Sequence, residues 1–230
     1  SAAQGLGGEL SVTGTTEVAF TPASVNQTTS ATLLSAAPIA LPSTAVSAQT
    51  ASTVLQLRLT DNDAIVDGTP DGGSTDGRGT QVKAISFKVS PSPTTSPAPE
   101  LAYQISGPDL STAVLGQLSS DGTTLRFDFS ANPLWIVDNT AETYTVSAWY
   151  ASGTPTDGAS LALLSLDPLT QISLAATSSQ LNASSAALSR QLTTAVSATT
   201  FSIQAPSQLV SGNQISLTVK AVDANGNLDV

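Results

Sequence analysis

Apolar and polar residues alternate with a period of two along much of the chain, a pattern that predicts β-strands with one buried face. The alternating runs lie at residues 54–60, 82–89, 125–129, 144–150 and 215–221. Turn-forming pairs such as Asn225-Gly226 separate them. Many short strands between such turns predict an all-β fold, an antiparallel β-sandwich that we place at residues 51–198. Within it, residues 169–198 also permit a short helix, but we predict mostly strand and loop.

The first 50 residues differ in composition. Ala, Ser, Thr, Pro and Gln dominate there, and Glu9 and Glu17 are the only charged residues. Pro38 and Pro42 fix the backbone dihedral φ and favour an extended chain. The segment also contains four large apolar residues, Leu33, Leu34, Ile39 and Leu41. A free linker would not need such side chains, so they favour partial order over a disordered linker. We therefore predict an extended N-terminal segment over residues 1–50.

A new unit is predicted to begin near Thr199, with strands at residues 201–203 and 214–222. An immunoglobulin-like sandwich of Greek-key type, the class that we expect for this chain, needs about seven strands in roughly 100 residues. Residues 199–230 can therefore form only the first strands of an incomplete second sandwich.

Unpaired strand edges readily pair with other chains, so two interpretations of this C-terminal unit remain. Either the chain is part of a longer protein, or strands from another copy complete the sheet by donor-strand assembly. The candidate donor is the weakly charged N-terminal segment, through alternate apolar side chains: Val12, Val18 and Phe20, or Leu33 and Leu34.

The chain has no His, Cys or Met, which removes most catalytic and metal chemistry. Ser-His-Asp and Cys-His machinery and ordinary zinc, copper or haem sites are excluded. Oxygen ligands remain, and they suit a hard cation such as Ca²⁺. The formal net charge of -10 would repel phosphate backbones and anionic lipid, so we expect no nucleic-acid partner. No apolar run approaches the length of a membrane span.

Several acidic residues fall in one short Asp/Gly-rich stretch and are candidate Ca²⁺ ligands: Asp61, Asp63, Asp67, Asp71 and Asp76. Carboxylates crowded in one loop repel each other unless a cation neutralises them, and Ca²⁺ takes about six to eight oxygen ligands. The spacing departs from the EF-hand pattern, because no Glu closes the loop. The alternative is that Asp and Gly simply form turns and solvate the loop.

A second polar run alternates in a similar way and consists of Asp223, Asn225, Asn227 and Asp229. We favour a turn between strands, in which Asn and Gly tolerate positive φ. The alternative is an interdomain Ca²⁺ site, which would stiffen a tandem array.

Residues 60–82, in which an Asp/Gly-rich loop leads into an apolar strand, resemble a module of large secreted bacterial surface proteins. Matches at residues 121–125 and 137–150 extend the resemblance. Residues 215–229 look like the early part of a bacterial immunoglobulin-like repeat, with its Asp-Ala-Asn-Gly-Asn turn. The resemblance implies a tandem adhesin, stalk or matrix protein at the bacterial cell surface, and it implies no catalytic residue.

We therefore expect a non-enzymatic extracellular protein, either part of a repeat adhesin or the subunit of a filament, whose partners are neighbouring repeats or further copies of itself. The alternative is a module that binds a surface glycan or protein through its loops. A carboxylate hydrolase is the least favoured class, because few aromatic residues could form a sugar platform; the clustered ones are Trp135, Trp149 and Tyr150. Trp149 and Tyr150 lie on opposite faces of one predicted strand, so one should be buried and the other exposed.

Overall fold

A computed structural model of the chain describes residues 2–5, 8–11, 26–33, 37–64, 80–91, 99–137, 140–175, 180–181, 188–206, 208, 211–212 and 214–230. In these ranges the fold is all-β apart from one helical turn, and no helix there is long and apolar enough to cross a membrane. The elements, in chain order, are β1 (Ala2–Gly5), β2 (Gly8–Ser11), β3 (Asn26–Leu33), β4 (Ile39–Pro42), β5 (Ser52–Ala64), β6 (Thr80–Pro91), β7 (Glu100–Ser106), β8 (Val114–Leu115), β9 (Gln117–Leu118), β10 (Thr124–Asp128), β11 (Leu134–Ile136), β12 (Ala141–Ser152), β13 (Ser160–Leu166), α1 (Pro168–Gln171), β14 (Ile172–Leu174), β15 (Gln180–Leu181), β16 (Leu188–Ala195), β17 (Thr200–Gln204) and β18 (Thr218–Val222).

Two large sheets form the body of the molecule. The strand order of the larger sheet is β4-β16-β13-β6-β10-β9, with β11 and β14 also paired to β6, and that of the smaller sheet is β15-β3-β5-β12-β7-β8. Neighbouring strands are antiparallel, except that β4 is parallel to β16 and β15 is parallel to β3. Two separate strand pairs are β1-β2 and β17-β18. The prediction of an all-β, mainly antiparallel fold is confirmed, and the immunoglobulin-like Greek-key class stays a prediction.

One hydrophobic core lies between the two sheets, because alternate residues of each strand face inwards. Strand β12 shows the pattern most clearly, with Tyr144, Val146, Ala148 and Tyr150 all buried. The other sheet contributes large side chains from its central strands, and the rings of Phe87 and Phe127 meet edge to face, with centroids 6.2 Å apart and planes at 85°. Both faces therefore supply the same core.

The alternation in β5 contains one irregularity that a β-bulge explains. Val54 and Leu55 are adjacent in sequence, yet both are buried. The register to β12 shifts here, since Val146 lies opposite Leu55 while Ser147 lies opposite Thr53. Val54 is thus the extra residue of the bulge, which lets two successive side chains face the core.

Part of the N-terminal segment belongs to these sheets. β3 pairs with β5 and β4 pairs with β16, both within the same chain. Leu41 in β4 and Ala45 shortly after it are both buried. The Tyr150 hydroxyl donates a hydrogen bond to the Leu41 carbonyl at 3.2 Å. Strands β3 and β4 thus join the two sheets, and the division of the chain at residue 50 stays a prediction. The proposed donor residues Val12, Val18, Phe20 and Leu34 lie outside the described residues.

The strand directions define two ends of the body. At one end, which we call the junction pole, lie the end of β4, the start of β5 and the end of β16: Ser52 pairs with Ala148, and the Tyr150 amide donates to Ala45. At the opposite end, the far pole, the first residue of β3, Asn26, pairs with the last residue of β5, Ala64. The chain thus enters the smaller sheet at the far pole and leaves the larger sheet at the junction pole.

Gly116 lets the chain cross from one sheet to the other. It separates β8, in the smaller sheet, from β9, in the larger one. A Cβ atom here would lie 2.5 Å from Leu125 Cδ1 and 2.9 Å from Phe127 Cε1. Any larger side chain here would therefore force the buried Leu125 and Phe127 side chains to shift.

Candidate functional site at the C-terminal junction

The predicted calcium ligands are only partly described. Asp61 and Asp63 lie in β5, so they belong to a strand and not to a loop, whereas Asp67, Asp71 and Asp76 lie outside the described residues. Among the residues that are described, no group of three or more acidic side chains is close enough to hold a metal ion. Calcium binding by this stretch stays a prediction.

Asp61 is buried, with 1% of its surface exposed. Its Oδ2 accepts a hydrogen bond from the Thr80 hydroxyl at 2.7 Å, and its amide donates to the Thr140 carbonyl at 2.8 Å. A buried carboxylate needs such donors, because its loss of hydration is otherwise unfavourable. Asp61 therefore has a structural role, joining the end of β5 to the start of β6.

The polar run after β18 forms a turn, as the sequence predicted, and its centre is the carboxylate of Asp223. Oδ1 accepts hydrogen bonds from the amides of Asn225 and Asn227, both at 2.8 Å, and Oδ2 accepts one from Asn227 Nδ2 at 2.8 Å. Gly226 adopts a φ of 83°, which glycine tolerates without strain. The turn is thus held by its own side chains.

A residue distant in sequence completes this turn. The hydroxyl of Ser43, which follows β4, donates to Asp223 Oδ2 at 2.5 Å, and both residues are buried. The Ser43 amide also donates to the Ala195 carbonyl at 2.8 Å. Ser43 therefore ties the C-terminal turn to the parallel pair of β4 and β16.

These contacts change the acidity of Asp223. Burial on its own would raise the pKa, but the hydrogen bonds from Ser43, Asn227 and Asn225 outweigh it and lower the pKa from 3.8 to about 2. The carboxylate is therefore ionised over the ordinary pH range, and four donors already surround its two oxygens.

Two more carboxylates fix the short connection between β16 and β17. Asp157 accepts a hydrogen bond from the Val196 amide at 2.8 Å, and Asp229 accepts one from the Ala198 amide at 2.8 Å. The Thr199 amide donates to the Val222 carbonyl at 2.9 Å. Because the amides of Val196, Ala198 and Thr199 are all hydrogen-bonded, we describe this connection as a fixed link rather than a free linker.

The β17-β18 pair beyond the link carries apolar side chains that face solvent. Phe201 is 71% exposed and Ile203 is 64% exposed, and Val219 on the partner strand is 56% exposed. Ile215 and Leu217, just before β18, are also exposed. Exposed apolar residues on a two-stranded sheet are typical of a surface that pairs with further strands.

The far pole carries a different polar cluster, around the Tyr144 hydroxyl. This hydroxyl lies 2.6 Å from Glu142 Oε2 and 3.1 Å from Asp109 Oδ2, and Asp109 also accepts the Trp135 amide at 2.7 Å. Burial, followed by the hydrogen bond to Glu142, raises the pKa of Tyr144. Burial, reinforced by the charge of Asp109, also raises the pKa of Glu142, although the bond from Tyr144 opposes the change. The cluster joins the loop after β7 to β11 and β12.

The clustered aromatic residues are divided between core and surface. Of the neighbours Trp149 and Tyr150, one was predicted to be buried, and Tyr150 is buried in the core. Trp149 is partly buried and packs against the core. Trp135 is the more exposed indole, at 43%. The sequence identified these three residues, but not the hydrogen bonds from the Tyr144 hydroxyl to Asp109 and from the Tyr150 hydroxyl to Leu41 and Thr194, since those partners are distant in sequence.

Comparison of the chain with protein-family models, with curated proteins and with solved structures found no match.

Proposed function

We propose that this chain is a non-enzymatic structural module of an extracellular bacterial surface protein, in which it carries tension between neighbouring units of a repeat adhesin or filament. The observation that supports this role best is the parallel pairing of β4 with β16. The fixed link at the junction pole and the exposed β17-β18 pair support it as well. The lack of His and Cys, which removes imidazole and thiol catalysis, favours a structural role over catalysis.

The parallel pair lies where the chain would transmit force. Ile39 lies opposite Leu192 and Pro42 lies opposite Ala195, so both strands run toward the junction pole. Tension applied before Ile39 and after Ala195 pulls the two strands in opposite directions along their own axes. The hydrogen bonds between parallel strands are evenly spaced, so such a load is shared among them and does not fall on one bond at a time.

Side-chain contacts reinforce the same pair. Leu41 is fully buried in the core, and the Tyr150 hydroxyl bonds both the Leu41 carbonyl, at 3.2 Å, and Thr194 Oγ1, at 3.1 Å. Thr193 Oγ1 contacts the Ile39 carbonyl at 3.4 Å. Sliding of β4 along β16 would have to break these bonds and move Leu41 out of the core.

The β17-β18 pair is the proposed connection to the next unit. It starts at the junction pole, and its exposed apolar residues would be covered by strands of a neighbouring repeat or of another copy. The fixed link between Ala195 and Thr200 would then transmit force directly from β16 to that unit.

Single-molecule pulling in two directions tests the proposal. The chain has no cysteine, so Ala37→Cys with Ser197→Cys gives handles that load β4 against β16 along their axes. Thr156→Cys with Ser197→Cys is the matched control: it shares one handle and pulls at the same pole on the antiparallel pair of β13 and β16, which opens one bond after another. Positions 37, 156 and 197 are all exposed.

We expect the first pair of handles to require clearly more force for unfolding than the second pair at the same loading rate. Equal forces, or a weaker response along the strand axes, would contradict a role in carrying tension.

A further inference from the structure

A cavity of about 410 Å³ opens between the two sheets at the junction pole, on the side of β7 and β9. Its wall is mainly apolar, with side chains from both sheets: Val89, Leu101, Leu118, Leu161 and Ala162. The volume falls in the range of small-molecule sites, which is about 300–1,000 Å³. The cavity is distinct from the β4-β16 pair and from the turn at Asp223.

Tyr103 gives this cavity a specific polar group. The residue is only 3% exposed and lies on the same inward face of β7 as Leu101. Within the described part of the chain its hydroxyl has no hydrogen-bond partner, although its carbonyl accepts the Gly116 amide at 2.9 Å. Burial alone raises the pKa of this phenol. Because Tyr103 lines the cavity and its hydroxyl has no protein partner among the described residues, that hydroxyl is available to donate a hydrogen bond to a molecule inside the cavity, either water or a ligand.

Charge at the rim restricts which ligands fit. Glu100 and Asp121 both line the cavity and are exposed. Their carboxylates are held by neighbouring hydroxyls: Ser152 donates to Glu100 at 2.9 Å, and Ser119 donates to Asp121 at 2.5 Å. An anionic ligand would meet two negative charges at the entrance, whereas a neutral one would not.

We propose that this cavity is a binding site for a small neutral molecule with an apolar body and one hydrogen-bond acceptor, which accepts a hydrogen bond from the Tyr103 hydroxyl. The apolar walls would bury the body of the ligand and release water, and the phenol would fix its orientation. The site does not depend on the proposed role in carrying tension.

Cyclohexyl methyl ketone is a suitable probe, because it has a compact apolar ring and a single carbonyl acceptor. Titration into the full ¹⁵N-labelled chain, followed by amide NMR shifts, should show saturable binding with the changes centred on Leu101, Leu118 and Leu161. Cyclohexanecarboxylate has the same ring but a negative charge, and it should bind at least about ten-fold more weakly.

Three variants separate the site from general apolar binding. Tyr103→Phe removes only a hydroxyl without a protein partner among the described residues, so the fold should persist while the affinity for the ketone falls by about three- to ten-fold. Ala151→Leu, at an exposed position on the cavity wall, should obstruct binding. Tyr150→Phe, which removes a hydroxyl bonded to Leu41 and Thr194, should leave the affinity unchanged.

The proposal is overturned if the ketone shows no saturable binding to the wild-type chain, or if the shifted amides lie away from the cavity. Equal affinity of Tyr103→Phe and wild type for the ketone, or equal affinity of wild type for the ketone and the carboxylate, would overturn it as well.

Discussion

We expect Phe127→Ala to lower the free energy of unfolding by about 3–5 kcal/mol. The Phe127 side chain is fully buried, its ring contacts Phe87 edge to face, and the backbone of Gly116 lies against its edge. The lost ring removes buried apolar surface and an aromatic contact. It also leaves a cavity that two sheets, each held by strand pairing, cannot easily close.

Urea denaturation of the wild type and the variant measures this difference, provided that the slope of the transition is unchanged. Leu115→Ala is the control, because Leu115 is 61% exposed on β8 and should change the stability by no more than about 0.5 kcal/mol. Equal losses for the two variants would mean that the common core of the two sheets is wrongly placed.

We expect Asp223→Ala to cost about 1–3 kcal/mol at neutral pH, because it leaves two buried donors without their acceptor. Those donors are the Ser43 hydroxyl and the Asn227 amide, and the part-buried amide of Asn225 loses the same acceptor. In a double-mutant cycle, Ser43→Ala together with Asp223→Ala should cost less than the sum of the single changes. Strict additivity would show that Ser43 and Asp223 do not interact.

The same carboxylate predicts a loss of stability in acid. Its pKa is lowered from 3.8 to about 2 in the folded protein, so the folded state holds the proton less tightly than the unfolded state. The resulting stabilisation is fully present above about pH 4 and is lost as the pH falls toward 2. Denaturation curves at pH 6 and pH 2.5 should therefore differ less for Asp223→Asn than for the wild type. An identical pH dependence of the two proteins would argue against the hydrogen bonds assigned to Asp223.

Local sequence patterns were sufficient to predict several central strands of the two sheets and the turn at Asp223. Alternation of apolar and polar residues identifies β5, β6, β10, β12 and β18. In the first four of these strands, one face is buried and the other is not, which produces the alternation. The same alternation also contained a signal about Asp61. Leu57, Leu59 and Asp61 are two residues apart and face the same side, so the burial of Asp61 follows from extending the strand past Thr60. The alternating run that the sequence analysis identifies ends at Thr60, and Asp61 is assigned to the Asp/Gly-rich stretch that follows.

Pairings between distant residues could not be predicted in the same way. Ser43 and Asp223 are separated by 180 positions, and no local pattern relates them. The parallel pairing of β4 with β16 depends on which sheet edge is free after the body has folded, and a four-residue strand contains too little alternation to specify a register. The cavity beside Tyr103 arises where strands of both sheets diverge, which is a property of packing and not of any one segment.

The central claim is that β4 closes the larger sheet within its own chain, and an engineered disulfide tests it directly. Ala40 pairs with Thr193 in the parallel register, and neighbouring strands are about 5 Å apart, within the Cα separation of about 4.4–6.8 Å that a disulfide accepts. Since the wild type has no cysteine, Ala40→Cys with Thr193→Cys creates a single possible bond within one chain. After mild oxidation at low and high protein concentration, non-reducing electrophoresis and peptide mass spectrometry should show a monomer with the two cysteines joined intramolecularly. Covalent dimers and longer ladders joined through these two positions, without the intramolecular bond, would contradict the account and would favour donor-strand exchange between copies.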